Sequence, residues 1–302
     1  ANSVGPTSGT IVAFAGGLIG LGVHRATGGG PGGSAAVMLA AGACYLAAGA
    51  VALRMDRRLL GPDRGATAAG AAGLRRELRA VLDGLAAGVR HVARRRQAAG
   101  ALAATGSHRF LYGILLLMSI LLYRNYFYPS GNGNTALSHF SLLVITSAVG
   151  YGLAALVTPA ATRRLAKSAW IALLLAGGGV ATGLLGVTFQ QVPFLIIGFA
   201  LGLAAQGVAI CTATILQQQV DDEFRGRVFS INDMLYNAAF VLGAAVCAPF
   251  MPADGKSYAM LAVVSAGYVL AAGGYLLISR QSREPGSAGP GRPASPAQRS
   301  SS

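Results

Sequence analysis

The 302 residues are 53% hydrophobic and only 11% charged, with 43 glycines and a mean hydropathy of +0.54. A water-soluble domain carries about 25% charged residues, so this composition excludes an ordinary soluble protein and points to lipid as the solvent. The formal net charge of +14 would suit a nucleic-acid binder, but its distribution along the chain speaks for a different use.

Eight apolar runs have the ~20 residues a helix needs to cross a bilayer. They cover 4–23, 34–53, 98–123, 139–161, 168–189, 192–216, 228–251 and 257–279. β-Barrel strands would be about half as long and would alternate in polarity. The predicted class is therefore an all-α polytopic membrane protein with eight transmembrane helices. Glycine and alanine inside these runs permit close helix approach in lipid. The first run contains Gly5, Pro6 and Gly9, where the proline removes a backbone donor and the glycines thin the helix. The stretch GGGPGGS at 28–34 lacks the Lys-Ser/Thr of a phosphate loop and is assigned to an outer loop.

Between the second and third runs lies a basic loop, residues 55–97. Within it Leu74, Leu78, Val81, Leu82, Leu85, Val89 and Val92 recur at helical spacing, with arginines mostly on the other face. That pattern predicts either a helix lying on the inner leaflet or a solvated linker helix. With the first residue placed inside, the inner loops and tail hold 20 of the 24 Lys and Arg. The outer loops hold Arg25, Arg124 and Lys256, and the remaining cation is Arg109. This is the positive-inside asymmetry. The charge sets topology, with both termini cytoplasmic and the cell membrane as the expected location, and no nucleic-acid partner is expected.

Within the third run, GSHRFLYGILLLMSILLY at 106–123 puts His108 and Arg109 at the head of a stretch of leucines and isoleucines. Arg109 lies about twelve residues into the span, ~18 Å along the axis. Asp233 is the one acid inside any run. Such charges cost about 2.5–3.5 kcal/mol each at mid-bilayer and usually face a partner or a cavity. Both are expected to face a central cavity, within reach of one another, with His108, Gln206, Asn232, Tyr236 and Asn237 as further polar lining. The contrary expectation is that Arg109 snorkels or braces its own helices. The turn DDEFRGR supplies Asp221, Asp222, Glu223, Arg225 and Arg227, and the basic turn before the fifth run supplies Arg163 and Arg164. Such a cluster can latch the inner face through ion pairs, or it is a solvated turn.

Cys44, Cys211 and Cys247 fall inside apolar runs without metal-ligand spacing. The four histidines do not cluster, and no nucleophile or metalloprotease motif is present. No enzyme activity, metal or cofactor is expected. Residues 280–302, rich in Ser, Pro and Gly, have no apolar content to bury and read as a disordered tail.

These features together resemble a major facilitator superfamily transporter of the bacterial drug-efflux type. Gly5, Pro6 and Gly9 are similar to the antiporter signature of that family's fifth helix. DDEFRGRVFS at 221–230 is similar to the acidic-Arg-Gly-Arg turn before its eleventh helix, and TPAATRRLAKSAW at 158–170 to the basic turn between its eighth and ninth. The resemblance implies a chain lacking about the first four helices. Residues 1–54 would then be the last two helices of one half-bundle, 55–97 the central loop and 98–279 the complete second half. It also implies alternating-access efflux of a small organic compound coupled to protons. The other reading is a non-transporting polytopic protein, either an accessory subunit or a membrane-embedded enzyme.

Overall fold

The structure is a computed structural model that describes residues 16–17, 19–20, 22–28, 30–54, 71–129 and 133–281. The described residues form α-helix with short 3-10 and π segments and no strand. The helices are α1 (Gly30–Leu53), α2 (Ala71–Ala93), α3 (Arg96–Leu121), α4 (Gly133–Arg164), α5 (Lys167–Gly186), α6 (Gln191–Gln219), α7 (Asp222–Cys247) and α8 (Tyr258–Gln281). Seven helical stretches among the described residues are long and apolar enough to span a membrane, α2 being the exception. The chain is an all-α polytopic membrane protein. Most of the first expected span, with Gly5, Pro6 and Gly9, lies outside the described residues, as does the tail from 282 onward.

Several spans extend past their apolar runs, because polar residues continue a helix into the interface where hydropathy no longer signals it. The largest shifts are in α4, which starts at Gly133 rather than 139, and α7, which starts at Asp222 rather than 228. The expected outer loop at 28–34 is partly helical instead: α1 begins at Gly30, with Pro31 in its first turn, where a missing N–H costs nothing. Helix α1 is apolar all round and leaves Met38, Tyr45 and Leu46 exposed, as a lipid-facing helix does.

Helices α3–α8 pack into one bundle. Its core gathers Leu111, Met118, Ile171, Leu175, Leu201, Val208 and Tyr268. Two pairings in it are built alike. An added Cβ at Gly113 of α3 would lie 3.1 Å from the Phe240 carbonyl carbon of α7, and one at Gly243 of α7 only 2.8 Å from that of Phe110 in α3. Between α4 and α6 the pattern recurs: Gly150 faces the Phe199 carbonyl carbon at 2.9 Å and Gly202 that of Ser147 at 2.7 Å. In each case the opposing carbonyl belongs to a residue three positions before the partner's own glycine. Backbones this close need glycine on both sides, and the geometry favours weak Cα–H···O contacts.

Matching α3 with α6, α4 with α7 and α5 with α8 maps each of these pairings onto the other. It also relates α3–α8 packing to α6–α5 packing. Helices α3 and α7 run away from the end that holds Arg95 and Asp221, while α4 and α6 run toward it. The bundle is thus two three-helix units of opposite direction.

The end with Arg95, Arg163, Arg164, Lys167, Arg225 and Arg227 is basic. The other end is aromatic. There a π-helical turn, Leu122–Phe127, closes α3 and sets Tyr123 against Phe127 and Phe140. Gly255, at φ +74, lets the 251–257 loop sit on this turn, where a Cβ would lie 2.7 Å from the Leu122 nitrogen. The Lys256 ammonium donates a 3.0 Å hydrogen bond to the Tyr126 hydroxyl and lies over the Tyr126 and Phe189 rings. That bond to Tyr126 holds its pKa above the ordinary lysine value.

Candidate functional site

Arg109 sits in mid-bundle, roughly 20 Å from the start of α3 by helical rise. Its guanidinium carbon lies 3.8 Å from the Tyr236 ring centroid, 4.8 Å from that of Phe240 and 5.8 Å from that of Tyr112. Nε donates to the Tyr236 carbonyl at 3.3 Å. Tyr151 of α4 also comes within interaction range of Tyr236 and Arg109. Each desolvated cation–π contact contributes up to about 2 kcal/mol, enough to offset much of the cost of the charge. The aromatic residues are placed by packing: Tyr112 shares an α3 face with Arg109 and bonds Ser147 of α4 at 3.3 Å, while Tyr236 and Phe240 stand one turn apart on α7.

The expected ion pair with Asp233 is not formed among the described residues. The aromatic faces take the guanidinium instead. Asp233 is exposed, and its carboxylate accepts a 3.4 Å contact from Asn232 Nδ2. Asn237 Nδ2 donates back to the Asp233 carbonyl at 2.9 Å. Ser230, Asp233 and Asn237 form an exposed polar stripe along α7. Because α7 begins at Asp222, this stripe lies near the middle of the helix rather than at its start.

His108 departs from its expected place. It is 1% exposed, turned away from that stripe, with Tyr268 of α8 3.2 Å from Nδ1 and Tyr112 stacked beside it. A side chain this enclosed serves the α3–α8 contact and does not line an open face. Gln206 is half-buried on α6, and Asn232 is half-buried with Oδ1 lacking a hydrogen-bond partner. Two roomy recesses, about 550 Å³ beside Phe110, Leu235 and Gly267 and about 690 Å³ beside Tyr123, Tyr128 and Phe140, do not include Arg109. Among the described residues no His, Cys, Asp or Glu gather in a metal-holding group.

The DDEFRGR turn is organised differently from the expected latch. Asp221 pairs with Arg95 at 2.6 Å and lies 3.6 Å from His91 Nε2. Arg95 also donates to the Gln219 carbonyl at the end of α6. Asp222 pairs within its own helix with Arg225. Glu223, Arg163 and Arg164 are exposed and join none of these pairs, and Arg227 lies over the Phe224 ring. His91 stacks on the Phe224 ring, at 4.3 Å and 11°. Helix α2 therefore docks on α7, helped by Gly84 and Gly88, which face Arg227 and Ile231, and by Val92, which is 4% exposed. Its apolar Leu82 and Val89 remain exposed, off the contact face. Sequence reasoning missed Arg95 and His91, since the signal was only their place at the end of a basic amphipathic run.

Comparison with known proteins adds a lineage. Over 274 residues the chain is 31% identical to two proteins named uncharacterized MFS-type transporter, one from Mycobacterium bovis and one from Mycobacterium tuberculosis. The chain is similar to MFS-type transporters. The match takes in 89% of the chain but 59% of each relative, so the chain spans less than two thirds of their length. No family model matches, and no solved structure matches. Each half of an MFS transporter is built from two inverted three-helix repeats, with substrate sites near the midplane. The α3–α5 and α6–α8 units have that form.

Arg95 is a checkable element of this arrangement. Its substitution by alanine removes both the Asp221 pair and a bond to the end of α6. Hydrogen exchange of the backbone over 84–95 should then accelerate about tenfold, about 1.4 kcal/mol of local stability. Unchanged exchange in Arg95→Ala protein would mean that α2 is held by Phe224 and the glycine contacts alone.

Proposed function

We propose that the protein is a secondary active transporter of the major facilitator superfamily, exporting a small organic compound in a proton-coupled cycle of alternating access. The observation that carries this reading is a charge retained in mid-span where the repeat predicts only packing. The α6 counterpart of Arg109 is Gly198, and the α4 counterpart of Tyr236 is Leu143, which Gly198 touches through Leu143 Cδ1. The same helix crossing thus holds plain packing in one repeat and an aromatic-caged arginine in the other. A costly departure from an internal repeat marks function better than a lone polar residue does.

In this reading Arg109 and Tyr236 contact the substrate, and Asn237, Asn232 and Gln206 line its path. Asp233 takes and releases the proton. The α2–α7 clamp at Asp221 and Arg95 closes the inner end, and Asp222, Glu223, Arg225, Arg227, Arg163 and Arg164 complete the basic face there. That face points to the cytoplasm of the cell membrane, as the positive-inside rule requires. The similarity to proteins named MFS-type transporters supports the same reading.

Inside-out membrane vesicles with an acidic lumen test it. Adding members of a panel of small organic compounds should discharge the pH gradient, seen as recovery of acridine orange fluorescence, only in vesicles containing the protein. A panel without any protein-dependent discharge would overturn the proposal.

A further inference from the structure

The aromatic rings hold the Arg109 guanidinium carbon and the Tyr236 carbonyl holds Nε, which leaves the terminal nitrogens as the part available for recognition. Among the described residues neither Nη has a hydrogen-bond partner, and neither belongs to the buried polar atoms left unsatisfied. They therefore reach accessible surface. The guanidinium is also without a salt bridge among the described residues. The other charged groups of the bundle lie at its basic or aromatic ends, apart from Asp233, whose carboxylate is directed to Asn232. A rigid planar fork held over aromatic rings with its terminal nitrogens free is the arrangement that receives two oxygens of one anion side by side. The ring contacts and the Nε bond to the Tyr236 carbonyl hold the guanidinium in place before a ligand arrives, which lowers the ordering cost of binding.

We infer that Arg109 is the anchor of a binding site for small organic anions, the paired oxygens of a carboxylate or phosphate meeting its two terminal nitrogens in mid-bundle. This rests on the transport reading and narrows it from an organic compound to an organic anion. The guanidinium is oriented by Tyr236 and Phe240 of α7 and by Tyr112 of its own helix, so the site is set by the α3–α7 crossing. Its position is fixed by the Gly113 and Gly243 contacts immediately above, which hold the two helices at backbone distance. Ser147, which bonds Tyr112, and Asn237, which follows Tyr236 on α7, are neutral and do not oppose an anion's charge.

The test is equilibrium binding to the purified protein in detergent, followed by calorimetry with three probes: 2-naphthoate, 1-naphthyl phosphate and the neutral 2-naphthamide. Either anion should bind at least tenfold tighter than the amide, and the stronger of the two identifies the oxygen geometry preferred. Arg109→Gln should remove that preference while leaving the weak amide affinity in place. Arg109→Lys, with the charge but without the fork, should keep only part of it. Equal binding of all three probes to the wild-type protein overturns the inference, and needs no variant to fold. A preference that survives Arg109→Gln overturns it as well. No gradient is involved, so anion binding that depends on Arg109 in a protein that discharges no pH gradient would sink the transport reading and leave the anion site standing.

Discussion

Gly202→Ala should leave little folded protein, and what folds should melt at least about 10 °C below the wild type. An extra methylene in a packed core costs about 1–3 kcal/mol when side chains can yield. A chain of this size loses about 2–4 °C per kcal/mol. At Gly202 the obstacle is the Ser147 backbone itself, its carbonyl carbon 2.7 Å and its Cα 3.0 Å from the new methyl. Helices α4 and α6 would have to separate along their whole contact. Gly113→Ala and Gly243→Ala meet the same kind of obstacle between α3 and α7, with the added effect of moving Tyr236 away from Arg109. Gly226→Ala is the control, because nothing lies within 4 Å of its added methyl and alanine favours a helix by about 1 kcal/mol. Thermal melts followed by size-exclusion in detergent separate the two. Equal melting of Gly202→Ala and Gly226→Ala would mean that the crossing is looser than backbone contact.

The second large effect is on coupling. Asp233→Asn should abolish compound-driven discharge of a pH gradient, a fall of about a hundredfold to the background of empty vesicles. Exchange of compound across the membrane at equal pH should stay within severalfold of the wild type. The reasoning is positional. Asp233 lies about eleven residues into α7, ~16 Å by helical rise, and among the described residues it is the acid in the middle of a span. It is exposed on the polar stripe, so a proton can reach it, and asparagine keeps its shape without being able to release one. Asp233→Glu should restore part of the coupling. Full gradient discharge by the asparagine variant would assign the proton to another group and reduce Asp233 to a polar liner.

How much of this could be read in advance differs from residue to residue. Arg109 and Asp233 stood out because charge inside an apolar run is expensive wherever it falls, and that cost is a property of composition. Their relation did not follow from spacing along the chain. The nearest acid in depth was the natural partner to expect, yet three rings from α3 and α7 converge on the guanidinium and take it first. His108 shows the same limit: it is next to Arg109 in sequence, but a helical rotation of about 100° turns it into the α3–α8 contact, onto Tyr268. At the DDEFRGR turn the acids were visible, whereas Arg95, the partner of Asp221, comes from the joint between α2 and α3, more than a hundred residues away.

The repeat was also partly legible. Phe-x-x-Gly occurs at 14–17, 110–113, 199–202 and 240–243, but such short patterns acquire meaning only when the helices that bear them are seen to cross.

The sequence by itself determined the solvent, the helical class and the two ends of the bundle. Those follow from the transfer cost of each residue into lipid, which adds up along the chain without reference to neighbours. Only the tertiary structure decided which glycine meets which carbonyl, which rings cage Arg109, and that α2 grips α7 through Gly84, Gly88 and His91 while its apolar Leu82 and Val89 stay outside. Those are contacts between residues distant in sequence, and their energy depends on positions accurate to a fraction of an ångström, which no one-dimensional pattern encodes.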